Sequence, residues 1–399
     1  MINLKICIIG GGASGIICAI KLARRGINVE IIEKNSNVCK KVLTTGNGKC
    51  NYFNEDMTIN HYHSSDINFL KNIINDDNIK SVNSFFESIG IVPRIKNGYY
   101  YPYSNTATTI KNLLLLECQK LGITIKTNIT VIDIIKKDKF ILKTNDSDII
   151  CDKVVLATGS IASIKDEYNG YTILKKLGHN IIKPLPALVM LEGIGNYFKE
   201  WAGIRCDASI SLYDNNNYID KQIGEVQLTN YGISGICVMN LSGRISRIID
   251  NGNKATLKIN FIPYIEDGYN YLEERYKLLP HLTLIEMLES IINYKLLYII
   301  LNKCHIDNKL TWNELNNDEK KLLVDNIFNF RLDIKSTKGF EFAQVVSGGV
   351  DLKEVTNNFE SKIVNGLYII GELLDVDGDC GGYNLGFAWL SGMIVGDNL

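Results

Sequence analysis

The feature that most constrains this chain is Gly10-Gly-Gly12-Ala-Ser-Gly15, because of what stands on either side of it. Lys5-Ile-Cys-Ile-Ile-Gly10 is a short apolar run, as a strand buried on both faces requires. After the glycines, Ile16, Ile17, Ile20 and Ala23 recur at helical spacing up to Arg25, and Gly26 is the expected helix stop. A second strand, Val29–Glu33, ends in an acid. Strand, glycine turn, helix, strand and acid together form the dinucleotide-binding fingerprint in its required context. Each part has a physical task. Gly10 allows the tight turn. Gly12 lets backbone approach a pyrophosphate, which then sits on the helix N-terminus. Gly15 lets helix and strand pack closely. Glu33 can accept hydrogen bonds from ribose hydroxyls and repels a 2′-phosphate, which disfavours NADP at this site.

With 399 residues the chain suggests two or three domains, and 46% hydrophobic with 22% charged residues is ordinary globular composition. Formal net charge is −1 and no basic stripe appears, so no nucleic-acid partner is expected. Ten cysteines are scattered without a CxxC pair, and the five histidines show no HExxH or finger-like spacing. No metal is expected, and a reducing, cytoplasmic location is. Residues 1–10 read as strand, with no leader pattern, and no run of 18 apolar residues suggests a membrane span.

The fingerprint alone does not choose between NAD and FAD. Three later segments favour the longer cofactor. Thr45-Gly46-Asn47-Gly48-Lys49-Cys50-Asn51 is a second glycine-rich loop directly after the first unit, suited to close approach by a ribityl chain and flavin ring. Lys34, Lys40 and Lys41 lie just before it; Lys34 and Lys41 are candidate cofactor contacts, and Lys40, Lys41 and Lys49 flank the loop and can screen phosphate charge. Lys153–Ser160 is an apolar strand ending in the turn Ala157-Thr158-Gly159. Before it, Ile123–Thr127, Val131–Ile135 and Phe140–Lys143 read as a β-meander inserted in an FAD-type domain, with Val131 a candidate contact. Near the C-terminus, Gly366-Leu-Tyr-Ile-Ile-Gly371-Glu372 is a strand ending in Gly-acid. Gly10, Gly12, Ala13, Ser14, Gly15 and Glu33 complete the expected nucleotide end. FAD is the expected cofactor.

The loop at 45–51, then Ser347-Gly-Gly-Val350, Phe359-Glu-Ser-Lys362 and the long Gly371–Leu385 motif together resemble the BaiN/YhiN-like family. Its members are often described as aminoacetone oxidase-like FAD-binding enzymes or NAD(P)/FAD-dependent oxidoreductases. The resemblance runs end to end and is weakest between residues 250 and 330. It implies an α/β fold with an FAD-type Rossmann domain (a two-dinucleotide-binding-domain flavoprotein) split by an inserted β-barrel-like domain and a small helical domain. The corresponding boundaries here are 1–188 and 341–399, 189–264 and 329–340, and 265–328. Arg205–Tyr213, Tyr218–Thr229 and Ala255–Ile262 read as strands, and 268–328 reads helical, with capping-box patterns at Thr283–Glu286 and Thr311–Glu314. Many relatives carry His and Pro where this chain has Thr229-Asn230-Tyr231-Gly232, so no role of that histidine carries over to Asn230.

Gly381-Gly382-Tyr383-Asn384-Leu385 precedes a helix-like segment, Leu385–Val395. A helix N-terminus there would favour negative charge on a reduced flavin, with Gly382, Tyr383 and Asn384 touching the ring largely through backbone. Asn384 could also be a plain N-cap. Asp375, Asp377 and Asp379 alternate like calcium ligands, but the twelfth position is Gly386; Asp375 is instead a ribityl candidate. Cys50 and Cys380 could pair, or simply fill crowded loops. Tyr99–Tyr103 could line a pocket or pack. No catalytic acid or base is identifiable, and no histidine shows a partner. No second fingerprint follows, so NAD(P)H would visit transiently or another donor reduces the flavin. The expected function is an FAD-dependent oxidoreductase passing hydride between flavin N5 and a small organic substrate, in a cavity between the FAD domain and the barrel. An NAD(P)H-linked reductase of an activated double bond leads. An O₂-using, aminoacetone-like amine oxidase, a flavin-dependent nucleic-acid-modifying enzyme and a non-enzymatic flavin-binding or redox-sensing module remain as alternatives.

Overall fold

The computed structural model describes residues 4–162 and 170–399; the expected start of the first strand at 1–3 lies outside them. The chain divides into two compact units, residues 1–184 with 345–399, and residues 185–344.

In the first unit the leading apolar run forms the strand Lys5–Ile9, buried except at Lys5. It is the middle of a five-stranded sheet in the order Leu367–Ile369, Lys153–Leu156, Lys5–Ile9, Asn28–Ile32, Thr124–Lys126. Every pairing is parallel, which explains why these strands read as apolar runs rather than as alternation. The one acid in the interior, Glu30, is held by Lys126 Nζ at 2.6 Å and Lys5 Nζ at 3.5 Å.

One sequence expectation is corrected here. The run at 123–127 is not part of the meander: its strand, Thr124–Lys126, pairs with Asn28–Ile32 at the edge of the parallel sheet. The preceding helix, Ala107–Lys120, makes the crossover that a parallel strand needs, and a short strand carries no mark of its partner. The meander consists of Val131–Lys136, Phe140–Thr144 and Ile149–Cys151, all antiparallel.

The fingerprint helix, Ala13–Arg24, lies against the terminal helix, Tyr383–Asn398. Two glycines one turn apart permit this. A Cβ on Gly392 would stand 2.4 Å from the Ser14 carbonyl oxygen, and one on Gly396 2.4 Å from the Cβ of Lys21. Lys21 Nζ pairs with Asp397 at 2.7 Å, and Arg25 Nη1 donates to the Gly396 carbonyl at 2.7 Å. Trp389 is fully buried, meets Phe86 edge-on at 5.2 Å and donates from Nε1 to the Tyr52 carbonyl. Truncating such a side chain costs about 3–5 kcal/mol.

The second unit contains a closed antiparallel barrel ordered Leu191–Gly193, Gly232–Ser234, Asn217–Thr229, Arg205–Asp214, Ala255–Asn260, Phe330–Thr337. Asn215 and Asn216 turn its longest hairpin with φ of 46° and 76°, as a type I′ turn demands. Helices Gly268–Leu278, Leu284–Leu288, Tyr294–Cys304 and Asn317–Phe328 share one hydrophobic core with the barrel through residues such as Leu257, Leu296, Leu323 and Phe330. The Thr283–Glu286 capping box opens a helix. That at Thr311–Glu314 opens only a 3₁₀ turn, and a third box, Asn316–Glu319, starts the next helix. The helix Ile236–Asp250 had no sequence reading, although Val238, Leu241, Ile245 and Ile248 mark its buried face.

Candidate functional site

The nucleotide end is built where three turns meet. Gly10 has φ +108°, and a Cβ there would lie 2.3 Å from the Ala157 carbonyl oxygen. A Cβ on Gly15 would lie 2.1 Å from the Gly10 carbonyl oxygen and 3.2 Å from the Ala157 Cβ. Gly12 differs: among the described residues, nothing outside its own stretch of chain stands within 4 Å of its would-be Cβ. It caps the fingerprint helix with no side-chain bond, Ala13 and Ser14 follow as the first helical residues, and no acid sits in the first turn. This helix end is sterically and electrostatically suited to an anion.

Glu33 is buried, with Oε2 accepting from the Gly11 amide at 2.8 Å. Its Oε1 accepts from the Asn35 amide at 2.8 Å and Asn35 Nδ2 at 2.6 Å. Gly11 escaped the sequence reading because the fingerprint spacing passes over it. Lys34 adjoins Glu33 and is half-buried. The Ile129 amide donates to the Glu33 carbonyl at 3.0 Å, which brings the start of the meander, at Val131, to the same corner.

A second cluster joins segments over three hundred residues apart. Lys41 Nζ lies 2.6 Å from Glu372 Oε2, and Ser160 Oγ donates to the same oxygen at 3.3 Å. Gly159, at φ +73°, faces that carboxylate, and Gly371, at φ +69°, lies against Ser14. Thr158 Oγ1 is buried without a hydrogen-bond partner among the described residues. Asp375 does not join this cluster. Its Oδ2 accepts from the Ser65 amide at 2.8 Å and from Ser65 Oγ at 2.6 Å. These bonds tie the acid, which is 3% exposed, to the loop at Ser65.

At the other end, Thr45–Gly48 forms a 3₁₀ turn in which Gly46 and Asn47 are left-handed. Thr45 Oγ1 donates to the Val42 carbonyl, the Lys49 amide to Gly46 and the Cys50 amide to Thr45, which closes the loop. This loop meets the C-terminal turn. Asn54 Nδ2 donates to the Gly381 carbonyl at 2.8 Å. Gly382, at φ +93°, would place a Cβ 2.6 Å from the Phe53 carbonyl oxygen and 3.0 Å from Asn51 Oδ1. That Asn51 oxygen is itself buried and unpartnered among the described residues. Gly382 caps the terminal helix without a side-chain bond, again with no acid in the first turn. The Asn384 side chain is a turn clasp: Oδ1 accepts from the Gly378 amide and Nδ2 donates to the Gly378 carbonyl. Tyr383 is buried and Leu385 half-buried at the helix start. Tyr99 packs on this turn, with Cε1 3.0 Å from a Cβ built on Gly381. Cys50 and Cys380 are reduced thiols, both pushed up by burial, Cys50 to about 11.

The histidines hold the largest surprise, because sequence spacing carries no signal for their partners. His61 Nε2 lies 2.9 Å from Asp56 Oδ2 and Nδ1 3.1 Å from Asp379 Oδ2, while His63 Nε2 lies 3.0 Å from Asp379 Oδ1. His179 is buried between Glu354, at 2.8 Å, and Ser361, at 2.9 Å. In the second unit, a cavity of about 570 Å³ is lined by Phe261, Tyr264 and Tyr271 among others.

These features fit FAD: an unobstructed helix N-terminus beside Gly12, an acid at the end of the second strand, two buried unpartnered oxygens on Asn51 and Thr158, and a second glycine-capped helix start at Gly382. Comparison with known proteins adds the following. The family description "HI0933-like protein Rossmann domain" matches residues 4–398. The chain is 35% identical over 400 residues to the 3-dehydro-bile acid delta(4,6)-reductase of Clostridium scindens, covering 98% of each. It is 28% identical to the ribosomal RNA dihydrouridine synthase of Haemophilus influenzae, covering 96% of this chain and 95% of that one. The enzyme of the same description from Escherichia coli is 27% identical, with 98% and 97% covered. The last two findings remove the support for excluding nucleic acid: overall charge near zero does not describe a local surface.

Proposed function

This chain belongs to the HI0933-like family, and from that premise we propose that it is an FAD-dependent reductase of a carbon–carbon double bond conjugated to a carbonyl in a small, steroid-like molecule. The observation that carries this reading is the 35% identity, over 98% of both chains, to a bile-acid delta(4,6)-reductase. Bound FAD supplies the hydride chemistry; the chain's own residues bind and orient. Glu33 holds the adenosine ribose. Gly12 and the start of the fingerprint helix receive the pyrophosphate, and Lys41 balances Glu372 beside it. Asn51, Thr158 and the backbone of Gly46–Gly48 hold the ribityl and ring portion. The first turn of the terminal helix, after Gly382, favours negative charge at the ring edge it faces. NADH or NADPH acts as a transient donor, since the sequence holds no second fingerprint.

A second reading, reduction of uridine in ribosomal RNA, is favoured by two relatives that match along nearly their whole length. Both readings need the same bond type, an alkene polarised by a neighbouring carbonyl. Anaerobic stopped-flow decides between them. NADH or NADPH is expected to bleach the flavin, and a conjugated 3-oxo steroid acid to restore its colour faster than a uridine-containing ribosomal RNA fragment does. Restoration by RNA alone would favour the second reading. Restoration by O₂ after reduction with an amine would indicate an oxidase. A flavin that takes no electrons from either nucleotide would contradict the reductase reading.

A further inference from the structure

His61 sits between two carboxylates, one on each ring nitrogen. Asp56, on the solvent side, is more than half exposed, while the Asp379 side chain is 10% exposed. A neutral imidazole has one N–H and one lone pair, so it would turn a lone pair toward one carboxylate. The imidazolium donates to both. Its ring also stacks on Tyr383, with centroids 4.4 Å apart and planes 18° from parallel, the arrangement in which a cation gains from the ring face. The His61 carbonyl accepts the Asp379 amide at 2.9 Å. Short strands Tyr62–His63 and Asp377–Gly378 pair beside this contact, and Tyr62 Oη donates to the Tyr383 carbonyl. His61 therefore grips both ends of the Asp379–Tyr383 turn, which contains Gly381 and Gly382.

We propose that His61, as an imidazolium, is a positioning residue that latches the Asp379–Tyr383 turn against the flavin, so that proton loss from His61 loosens the turn and weakens the cofactor. The inference rests on the flavin reading of that turn. Four titratable groups face or adjoin His61: Asp56 from its own loop, Asp379 and its second partner His63, and Tyr383 from the terminal helix. Tyr99 adds a further neighbour beside Asp379 and Tyr383. Among the described residues no group of three or more such side chains is arranged to hold a metal ion. Burial works against the His61 charge, but the bonds to Asp56 and Asp379 outweigh it, and its pKa lies above the ordinary histidine value. Asp56, bonded by His61, lies below the carboxylate range. Burial pushes Asp379 up, and the bonds from His63 and His61 outweigh it, so it too lies low. The latch is complete between these limits. It opens on the alkaline side as His61 loses its proton, and on the acid side only when the carboxylates take theirs.

The test measures the FAD dissociation constant of the full chain across pH 6 to 9, together with the NMR titration of the His61 ring. Wild type is expected to bind FAD about tenfold more weakly once His61 is neutral, with the midpoint coinciding with the ring titration. His61→Gln is expected to bind at the weak level at every pH. Asp56→Asn, altered at an exposed position, is expected to stay folded and to move both midpoints to lower pH together. Affinity unchanged by pH and by His61→Gln contradicts the latch while leaving the flavin reading intact. Wild type that binds no FAD at any pH contradicts the flavin reading, and the latch with it.

Discussion

Gly10 packs directly on Ala157: a side-chain carbon at position 10 would stand 2.3 Å from the Ala157 carbonyl oxygen, closer than real Cβ atoms come. Two residues later, a side-chain carbon on Gly12 would meet no atom from elsewhere among the described residues within 4 Å. The fold therefore constrains the first glycine and leaves space at the second, where the proposed reading puts the cofactor. Gly10→Ala is expected to lower the melting temperature and yield little soluble protein. Gly12→Ala, at an ordinary φ of −81°, is expected to change stability by no more than about 0.5 kcal/mol. Its methyl group enters the space that the pyrophosphate needs, so FAD affinity should fall at least roughly tenfold, or about 1.4 kcal/mol. Calorimetry and FAD titration separate the two effects.

Glu33 supports the glycine turn beside the ribose that it is expected to hold. Removing its carboxylate by Glu33→Ala leaves the Gly11 amide without its acceptor, at a cost of about 1–3 kcal/mol for a buried donor. Both thermal stability and FAD affinity should fall, and Glu33→Gln should recover much of the stability but less of the affinity. Chemical denaturation of the apoprotein alongside FAD titration checks this.

The Lys41–Glu372 pair is partly exposed, 42% and 19% at the two side chains, so its stability contribution is small. On the proposed reading, its electrostatic effect on the cofactor's pyrophosphate is larger. Lys41→Ala leaves the Glu372 carboxylate uncompensated beside the pyrophosphate site. FAD affinity should drop several-fold at low salt and less at high salt, with the melting temperature nearly unchanged. The Lys41→Ala, Glu372→Gln double variant should recover part of the loss.

Glu354, His179 and Ser361 stand in the order of a hydrolase triad, with His179 Nδ1 2.8 Å from Glu354 Oε2 and Nε2 2.9 Å from Ser361 Oγ. Ser361 is 5% exposed, and its Oγ already accepts the amides of Ile363 and Val364. It is a turn anchor, not a nucleophile. Ser361→Ala should destabilise the protein by about 1–3 kcal/mol, and wild type should hydrolyse no activated ester. Denaturant titration and an ester assay test the two statements.

Much of the cofactor end was legible in the sequence because strand, glycine turn and helix follow one another locally at 5–33, and each apolar run shows its burial. The inserted barrel was legible in part, from three strand runs and the hairpin at Asp214–Asn217. What the sequence hid is pairing over distance. The run at 123–127 reads as a strand but does not say that Asn28–Ile32 is its neighbour. Asp375 follows a Gly-acid strand end, but its bonds to Ser64 and Ser65, more than three hundred residues away, leave no mark in the sequence. Asp379 is 318 residues from His61, and nothing in the spacing of either announces the other. Gly11 and Gly392 carry a related constraint: the Val38 side chain approaches the first and the Ser14 backbone the second, which periodicity does not register.

The measurement that bears most directly on the account is the identity of the nucleotide that the purified protein releases on denaturation. The purified protein is expected to be yellow and to yield FAD, and Gly12→Ala protein prepared in the same way to yield little. Release of NAD in place of FAD, or full FAD content in the Gly12→Ala protein, would contradict it.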